Sequence, residues 1–318
     1  MKDHVAAIVG AEVISLEPLT RGGNSRVYRA RTASESFFVK VYPPTNSRPR
    51  LETETRALQE LHAAGLSVPR FIGQATGERL AVHEWIDGTP VTEVGKADIE
   101  AAIALILGAQ SIANRETFAP ASAACLSLDD AITQLQDRLE AAREIREPSA
   151  SRLVANEIAP AVASEIDRCI ARAEVLGLDR SHVLGPDEAV LSPSDVGFHN
   201  ALRLADQRLV FCDFEYFGWD DPAKLVADIA LHPSTAKNEG LARPLAGGLR
   251  PLIGDERRLE VGYPIWGLCW CMIVLNAFLP NRWRLSDDHE RTTRLADARR
   301  RLADIGTPWQ LWTNAPKS

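Results

Sequence analysis

Residues 188 to 218 read EAVLSPSDVGFHNALRLADQRLVFCDFEYFG, two short β segments around a polar loop, in a stretch of chain that is otherwise patterned for helix. Helical spacing of apolar residues marks 97–115, 127–147 and 151–177 before the segment, and DPAKLVADIALH and 289–305 after it. A β insertion inside a helical region excludes a plain helix bundle and points to an α+β architecture. The loop itself, LSPSDVGFHN, is fenced by Pro193 and Gly197 and gathers Asp195, His199 and Asn200. Loops run over the surface, so such residues are either solvated decoration or side chains converging on a ligand. The neighbouring strand Leu209 to Cys212 ends in another carboxylate, Asp213.

The first eighty-odd residues have a different texture. FFVKVY alternates, with Phe37, Val39 and Val41 on one face and Phe38, Lys40 and Tyr42 on the other. Prolines 43, 44 and 49 end that strand. LETETRALQELHAAGL follows as a helix stopping at Gly65, on which Glu54 shares a face with Leu58 and Leu61. A carboxylate on an apolar face is costly unless paired, and the strand lysine is the expected partner, with Glu52 the competing carboxylate. RLAVHEWIDG reads as a further strand running into a turn at Asp87 and Gly88.

At 318 residues the chain exceeds the size at which one core keeps growing, so two lobes are expected. Hydrophobic residues at 45% and charged ones at 25% are the balance of an ordinary globular protein, and a formal charge of −7 argues against a nucleic-acid partner. Five scattered cysteines fit reduced core thiols, and Cys269 with Cys271 lacks the further ligands a zinc site needs. The start, MKDHVAAIVGAEV, has no signal-peptide core, so a cytoplasmic location is expected. YPIWGLCWCMIVLNAFLP, 263–280, is barely long enough to span a bilayer and carries Asn276 between Pro264 and Pro280; it reads as a buried helix, with no membrane partner.

In this order the pieces resemble the aminoglycoside phosphotransferase and choline kinase family, over about residues 15 to 235. The resemblance implies a two-lobed protein-kinase-like fold: a small β-rich N-lobe, 1–87, with its hinge at 84–88, and a large, mainly helical C-lobe, 88–318. It implies an ATP- and Mg²⁺-dependent kinase acting on a hydroxyl of a sugar, aminocyclitol or amino alcohol. Gly22 and Gly23 in LTRGGNSRVYRA would let backbone N–H groups approach phosphates, although Gly-Gly-Asn is also an ordinary hairpin turn. Lys40 would pair the α and β phosphates, held by Glu54, which stands four before Leu58 as in the family's E-x-x-x-L. The backbone of Glu84, Trp85 and Ile86 would meet the adenine edge. Asp195 would orient or deprotonate the acceptor hydroxyl, while Asn200 and Asp213 would hold the metal.

The loop departs from the family's H-G-D-x-H-x-x-N. Ser192, Pro193 and Ser194 precede Asp195, and Gly197 stands at the second histidine. Hydroxyls then have to brace the loop, or it is looser; His199 is extra and is read as a solvated or core-bonded histidine. Glu215, Asp220 and Asp221 could face a cationic or polyhydroxylated acceptor, although Asp221 also fits as the N-cap of DPAKLVADIALH. Trp266, Trp270 and Trp283 could form a cage for a quaternary ammonium, against core packing for the first two. Arg299 to Arg301 read as a solvated helix face. The rival readings are a nucleotide-binding scaffold without phosphotransfer and, less favoured for want of an A-P-E element, a protein kinase.

Overall fold

The structure, a computed structural model, describes residues 1–19, 25–44, 49–195, 197–235, 239–283 and 286–305. Packing groups the chain into two compact units: Met1–Ser122 with Leu191–Trp219, and Ala123–Val190 with Asp220–Ser318.

The first unit is built on a five-stranded sheet of β1 (Ser15–Pro18), β2 (Arg26–Arg31), β3 (Ser36–Val41), β4 (Phe71–Ala75) and β5 (Leu80–Glu84). Their order is β1-β2-β3-β5-β4, with every neighbouring pair antiparallel. The alternation of FFVKVY holds in three dimensions. Phe37 and Val39 enter a core with Val5, Val13, Ala30, Leu80 and Val82, whereas Lys40 and Tyr42 serve the opposite face. Helix α1 (Lys2–Val9) has no counterpart in the sequence reading, because its single buried residue, Val5, makes no periodic stripe. Helix α2 (Arg50–Ala63) buries Leu51, Glu54, Leu58 and Leu61, and Gly65 follows it at a φ of 75°, the left-handed turn that suits glycine.

The same unit takes in a three-stranded sheet of β6 (Thr89–Pro90), β8 (Ala201–Arg203) and β9 (Leu209–Phe211), helix α3 (Lys96–Ala109), and the strand β7 (Val190–Ser192) from Leu191 onward. Arg203 on β8 grips Asp98 of α3 with two hydrogen bonds of 2.8 Å, and Asp98 also accepts from the Gly95 N–H at 2.7 Å. The Gln110 side chain bonds both backbone groups of Leu191, accepting from its N–H at 2.9 Å and donating to its carbonyl at 2.8 Å. Both ends of the loop at 193–200 are therefore moored to the α3 region.

The second unit is helical: α4 (Leu128–Ala142), α5 (Pro148–Leu153), α6 (Ala159–Val175), α7 (Pro222–Leu231), α8 (Glu239–Leu249), α9 (Glu256–Val274) and α10 (Asp288–Asp304). Ser127 and Asp130 close the expected capping box on α4. A π turn at Val154–Ile158 joins α5 to α6, next to Pro160, which has no N–H for the regular ladder. Helix α9 packs against α4, α6, α7 and α10, and 78% of the apolar window in Glu256–Phe278 is buried, although that stretch is long and apolar enough to cross a membrane. Pro264 lies inside α9 rather than bounding it, because the polar first turn, capped by Asp255, is invisible to an apolar pattern.

Two surface readings need correction in this unit. Arg301 is not solvated: it is buried, paired with Asp297 at 3.1 Å and donating to the Leu231 carbonyl. Asp220 and Asp221 do not greet a ligand; they are 1% and 0% exposed, bound by Lys224 at 2.9 Å and Arg258 at 2.6 Å, and Asp221 caps α7. Trp266 is core, as its helical spacing suggested, whereas Trp270 is half-buried with its indole N–H on Asp228.

Candidate active site

Lys40 is the centre of the first unit's polar cluster. Cross-strand pairing on β3 turns it to the α2 side, where its ammonium lies 2.6 Å from Glu54, 2.7 Å from Asp213 and 3.0 Å from Glu215. Burial alone would lower the Lys40 pKa, but the combined pull of Glu54, Asp213 and Glu215 carries it above its ordinary value, so the lysine stays charged. Glu54 also accepts from the Tyr42 hydroxyl at 2.7 Å and the Phe214 N–H at 3.3 Å. These contacts settle the choice between the two glutamates, since Glu52 is exposed. Glu215 is buried and shared with Arg50 at 2.9 Å, so it too does not face an acceptor.

A hairpin delivers the remaining groups. Register in the β8–β9 pair sets Ala201 against Phe211, and the Cys212 N–H donates to the Asn200 carbonyl at 2.7 Å. Asn200 and Asp213 thus flank the open end of one hairpin although thirteen residues separate them. The Ser67 carbonyl accepts from the Phe211 N–H at 2.9 Å, and its hydroxyl donates to the Leu209 carbonyl at 2.6 Å, which fixes β9 from the other side. Asp213 then takes a left-handed φ of 68° and leaves its carboxylate 44% exposed. Left-handed backbone at a non-glycine residue costs energy and collects at functional sites, and aspartate is among the side chains that tolerate it.

The loop before the hairpin is braced by hydroxyls. Ser192 is 1% exposed and its Oγ accepts from the Ser194 N–H at 3.1 Å; Ser194, at a φ of 62°, donates its own hydroxyl to the Tyr216 carbonyl at 3.1 Å. Asp195 follows with a carboxylate 38% exposed, and the Asn200 side-chain amide donates to its carbonyl at 3.0 Å. That bond uses the nitrogen end of Asn200 and leaves Oδ1 as the end suited to a cation.

These residues line a cavity of about 500 Å³. Lys40, Glu54, Asp195, Asn200, Asp213 and Glu215 supply its charged and polar lining; Val27, Phe38, Leu58, Pro69, Ile86, Ala201 and Leu202 supply its apolar lining, with His83 and Glu84 among them. Trp85 is not among the lining residues; its ring lies under the Arg29 guanidinium, 4.2 Å from Cζ to the ring centroid. Gly22 and Gly23 fall outside the described residues. The donor set, one carboxylate and one amide oxygen beside a solvent-reachable space, fits a hard, oxygen-preferring divalent cation.

The sequence matches the phosphotransferase enzyme family over residues 15–260. The chain belongs to the phosphotransferase enzyme family. Among solved structures, this phosphotransferase is similar to a choline kinase from Streptococcus pneumoniae, with 16% identity, a TM-score of 0.63, and coverage of 95% of this chain and 97% of the other. It is similar as well to a spectinomycin phosphotransferase in complex with ADP and spectinomycin, with 12% identity, a TM-score of 0.58, and coverage of 97% and 95%. A choline/ethanolamine kinase family protein from Mesorhizobium loti gives 17% identity, a TM-score of 0.57, and coverage of 95% and 98%. At these identities the likeness establishes the fold, a mixed α+β fold of the protein-kinase-like type. No curated protein matches the sequence.

Three features of the candidate site had little sequence signal. Glu215 was visible as an acid after Asp213, but nothing local showed that Lys40 and Arg50, both more than 160 residues away, enclose it. The moorings by Gln110 and by Asp98 with Arg203 join segments 81 and 105 residues apart. His199, read as solvated or core-bonded, lies with Nε2 3.5 Å from Asp195 Oδ1; the i,i+4 spacing was the available hint, and the short 3₁₀ turn Phe198–Asn200 brings the pair together.

Proposed function

We propose that this phosphotransferase moves the γ-phosphoryl group of ATP, with Mg²⁺, onto a hydroxyl of a small molecule, with sugars, aminocyclitols and amino alcohols as the acceptor class. The observation that carries the reading is one cavity lined by Lys40 with Glu54, by Asp195, and by Asn200 with Asp213. Phosphoryl transfer asks a protein mainly to position and to neutralise, and this set holds one group for each task. The ADP in the spectinomycin phosphotransferase structure supports the choice of nucleotide.

In this reading residues 1–87 form the nucleotide lobe and 88–318 the helical lobe. Lys40 pairs nucleotide phosphate oxygens while Glu54 keeps its ammonium aimed. Asp195 takes or orients the hydroxyl proton, on a loop whose hydroxyl braces stand in for the family's histidine. Asn200 Oδ1 and Asp213 are the ligands for Mg²⁺, which when bound offsets charge on the triphosphate. The backbone at Glu84 to Ile86 meets the base. His83 and the apolar lining make that end of the cavity fit for a purine ring. A solvated cytoplasmic small-molecule kinase, without nucleic-acid or membrane partner, agrees with the negative charge and the burial of α9.

The test is a phosphate-transfer screen of the purified protein against sugars, aminoglycosides and amino alcohols, with ATP and Mg²⁺ and with Asp195→Asn as control. Transfer to one acceptor class that collapses in the variant is the expected result. Tight ATP binding with no acceptor phosphorylated would leave the scaffold reading instead.

A further inference from the structure

The cluster around Lys40 carries one negative charge in excess. Glu54, Asp213 and Glu215 bring carboxylate oxygens to 2.6, 2.7 and 3.0 Å of the ammonium, and Arg50 reaches Glu215 from another side at 2.9 Å. Three carboxylates therefore share two cations. Burial pushes the Glu54 carboxyl up, and the ammonium beside it opposes that shift, as in a buried ion pair.

The three carboxylates are placed differently. Glu54 is closed off by the Tyr42 hydroxyl and the Phe214 N–H, and it already aims the lysine. Asp213 is the exposed one, open to the cavity and to a metal ion. Glu215 has a side chain 4% exposed, yet it lines the cavity, and it accepts from the hydroxyl of Ser25, which lines the cavity too and stands just after Gly22 and Gly23 in the chain. Arg50 does not line the cavity; its guanidinium lies over the Tyr216 ring, with Cζ 5.1 Å from the centroid. A ligand in the cavity thus meets the Glu215 charge more directly than the Arg50 charge.

A buried carboxylate beside the lysine weakens the hold of Lys40 on any anion. Aiming the ammonium does not call for it, since Glu54 does that. Free ATP is a highly charged anion, whereas Mg²⁺ on the triphosphate brings positive charge that offsets the excess. Specificity can come from a repulsive element as well as from an attractive one. We infer that Glu215 is a specificity-determining residue: its buried charge makes the site select the metal–nucleotide complex and turn away free nucleotide. This rests on the cavity being the nucleotide site.

The experiment measures calorimetric affinities for ATP in excess Mg²⁺ and for ATP in EDTA, at matched ionic strength, in the wild type, Glu215→Gln and Arg50→Met. The wild type should prefer the Mg²⁺ complex by at least about 30-fold. Glu215→Gln removes the charge while its amide oxygen still accepts from Arg50. It should bind free ATP about 10-fold more tightly and keep its affinity for the Mg²⁺ complex within about threefold, so that the preference shrinks about 10-fold. Arg50→Met removes a cation and should enlarge the preference, by about threefold. A structural role moves neither preference: if both affinities fall together in Glu215→Gln, the inference is overturned and the nucleotide site stands. If Glu215→Gln does not fold, an unchanged preference in Arg50→Met overturns it. A loss confined to the Mg²⁺ complex in Glu215→Gln would make Glu215 a metal ligand and also overturn it. No ATP binding by the wild type under either condition would remove the site and the inference together.

Discussion

Among the described residues two lysines are buried among carboxylates, and the two clusters solve the same electrostatic problem in opposite ways. Lys224 sits between Asp220 at 2.9 Å and Asp228 at 2.7 Å, both one helical turn away, with side chains 1% and 19% exposed. Lys40 draws Glu54 from α2 and Asp213 and Glu215 from beyond β9, up to 175 residues along the chain, and Asp213 stays 44% exposed on a cavity. The first cluster closes on itself and is complete. The second is held open on one side, with a strained backbone at Asp213, which is how a fold prepares charge for a ligand rather than for its own stability. Burial and a raised lysine pKa are common to both, so neither tells the two clusters apart; access to a cavity does.

The largest effect that can break this comparison lies beside the open cluster. Asp195→Asn should lower turnover of the identified acceptor by about 10² to 10⁴-fold, the usual contribution of a positioned base, while leaving nucleotide affinity within about twofold. Turnover equal to the wild type would remove Asp195 from the chemistry.

Next comes stability. Lys224→Met leaves Asp220 and Asp228 as buried or nearly buried charges without their partner, and the expected loss is about 3 to 5 kcal/mol in urea denaturation. Lys40→Met should cost clearly less, because Asp213 reaches solvent, Arg50 remains on Glu215, and Glu54 keeps the Tyr42 hydroxyl and the Phe214 N–H as donors. Equal losses would mean that the cluster at Lys40 is as closed and as structural as the other.

A smaller effect sharpens the pairing itself. The cycle of Lys40→Met and Glu54→Gln on ATP affinity should show a coupling of about 0.5 to 3 kcal/mol, as for residues in contact. Additive losses would mean that Glu54 does not aim the lysine for the nucleotide. Smallest is the brace: Ser192→Ala removes one acceptor for the Ser194 N–H, worth about 0.5 to 1.5 kcal/mol, and should reduce turnover only a few-fold in steady-state kinetics. A loss as large as that of Asp195→Asn would make Ser192 part of the chemistry.

Much of this was legible in the sequence, and for a physical reason. Strand alternation, the E-x-x-x-L helix face, the capping box at Ser127 and the spacing of Asp195, Asn200 and Asp213 are local patterns, each set by residues within one or two elements. The family match then follows from their order. Where sequence reading erred, a polar residue was judged by its own character. Glu215, Asp220 and Arg301 look like surface charges in a linear chain, and each is buried against a partner that the fold supplies, whereas Asp221 takes the N-cap position that its sequence context offered.

Local sequence therefore determined the elements, their order and which carboxylates stand on the loops, because helix and strand periodicity and turn chemistry are short-range effects. Tertiary structure alone decided which charges are neutralised, which of them stay open to a cavity, and that His83 ends up buried with no hydrogen-bond partner among the described residues. Those outcomes depend on what chain lies on the far side of each group, and desolvation and Coulomb attraction act through space, whatever the distance along the sequence.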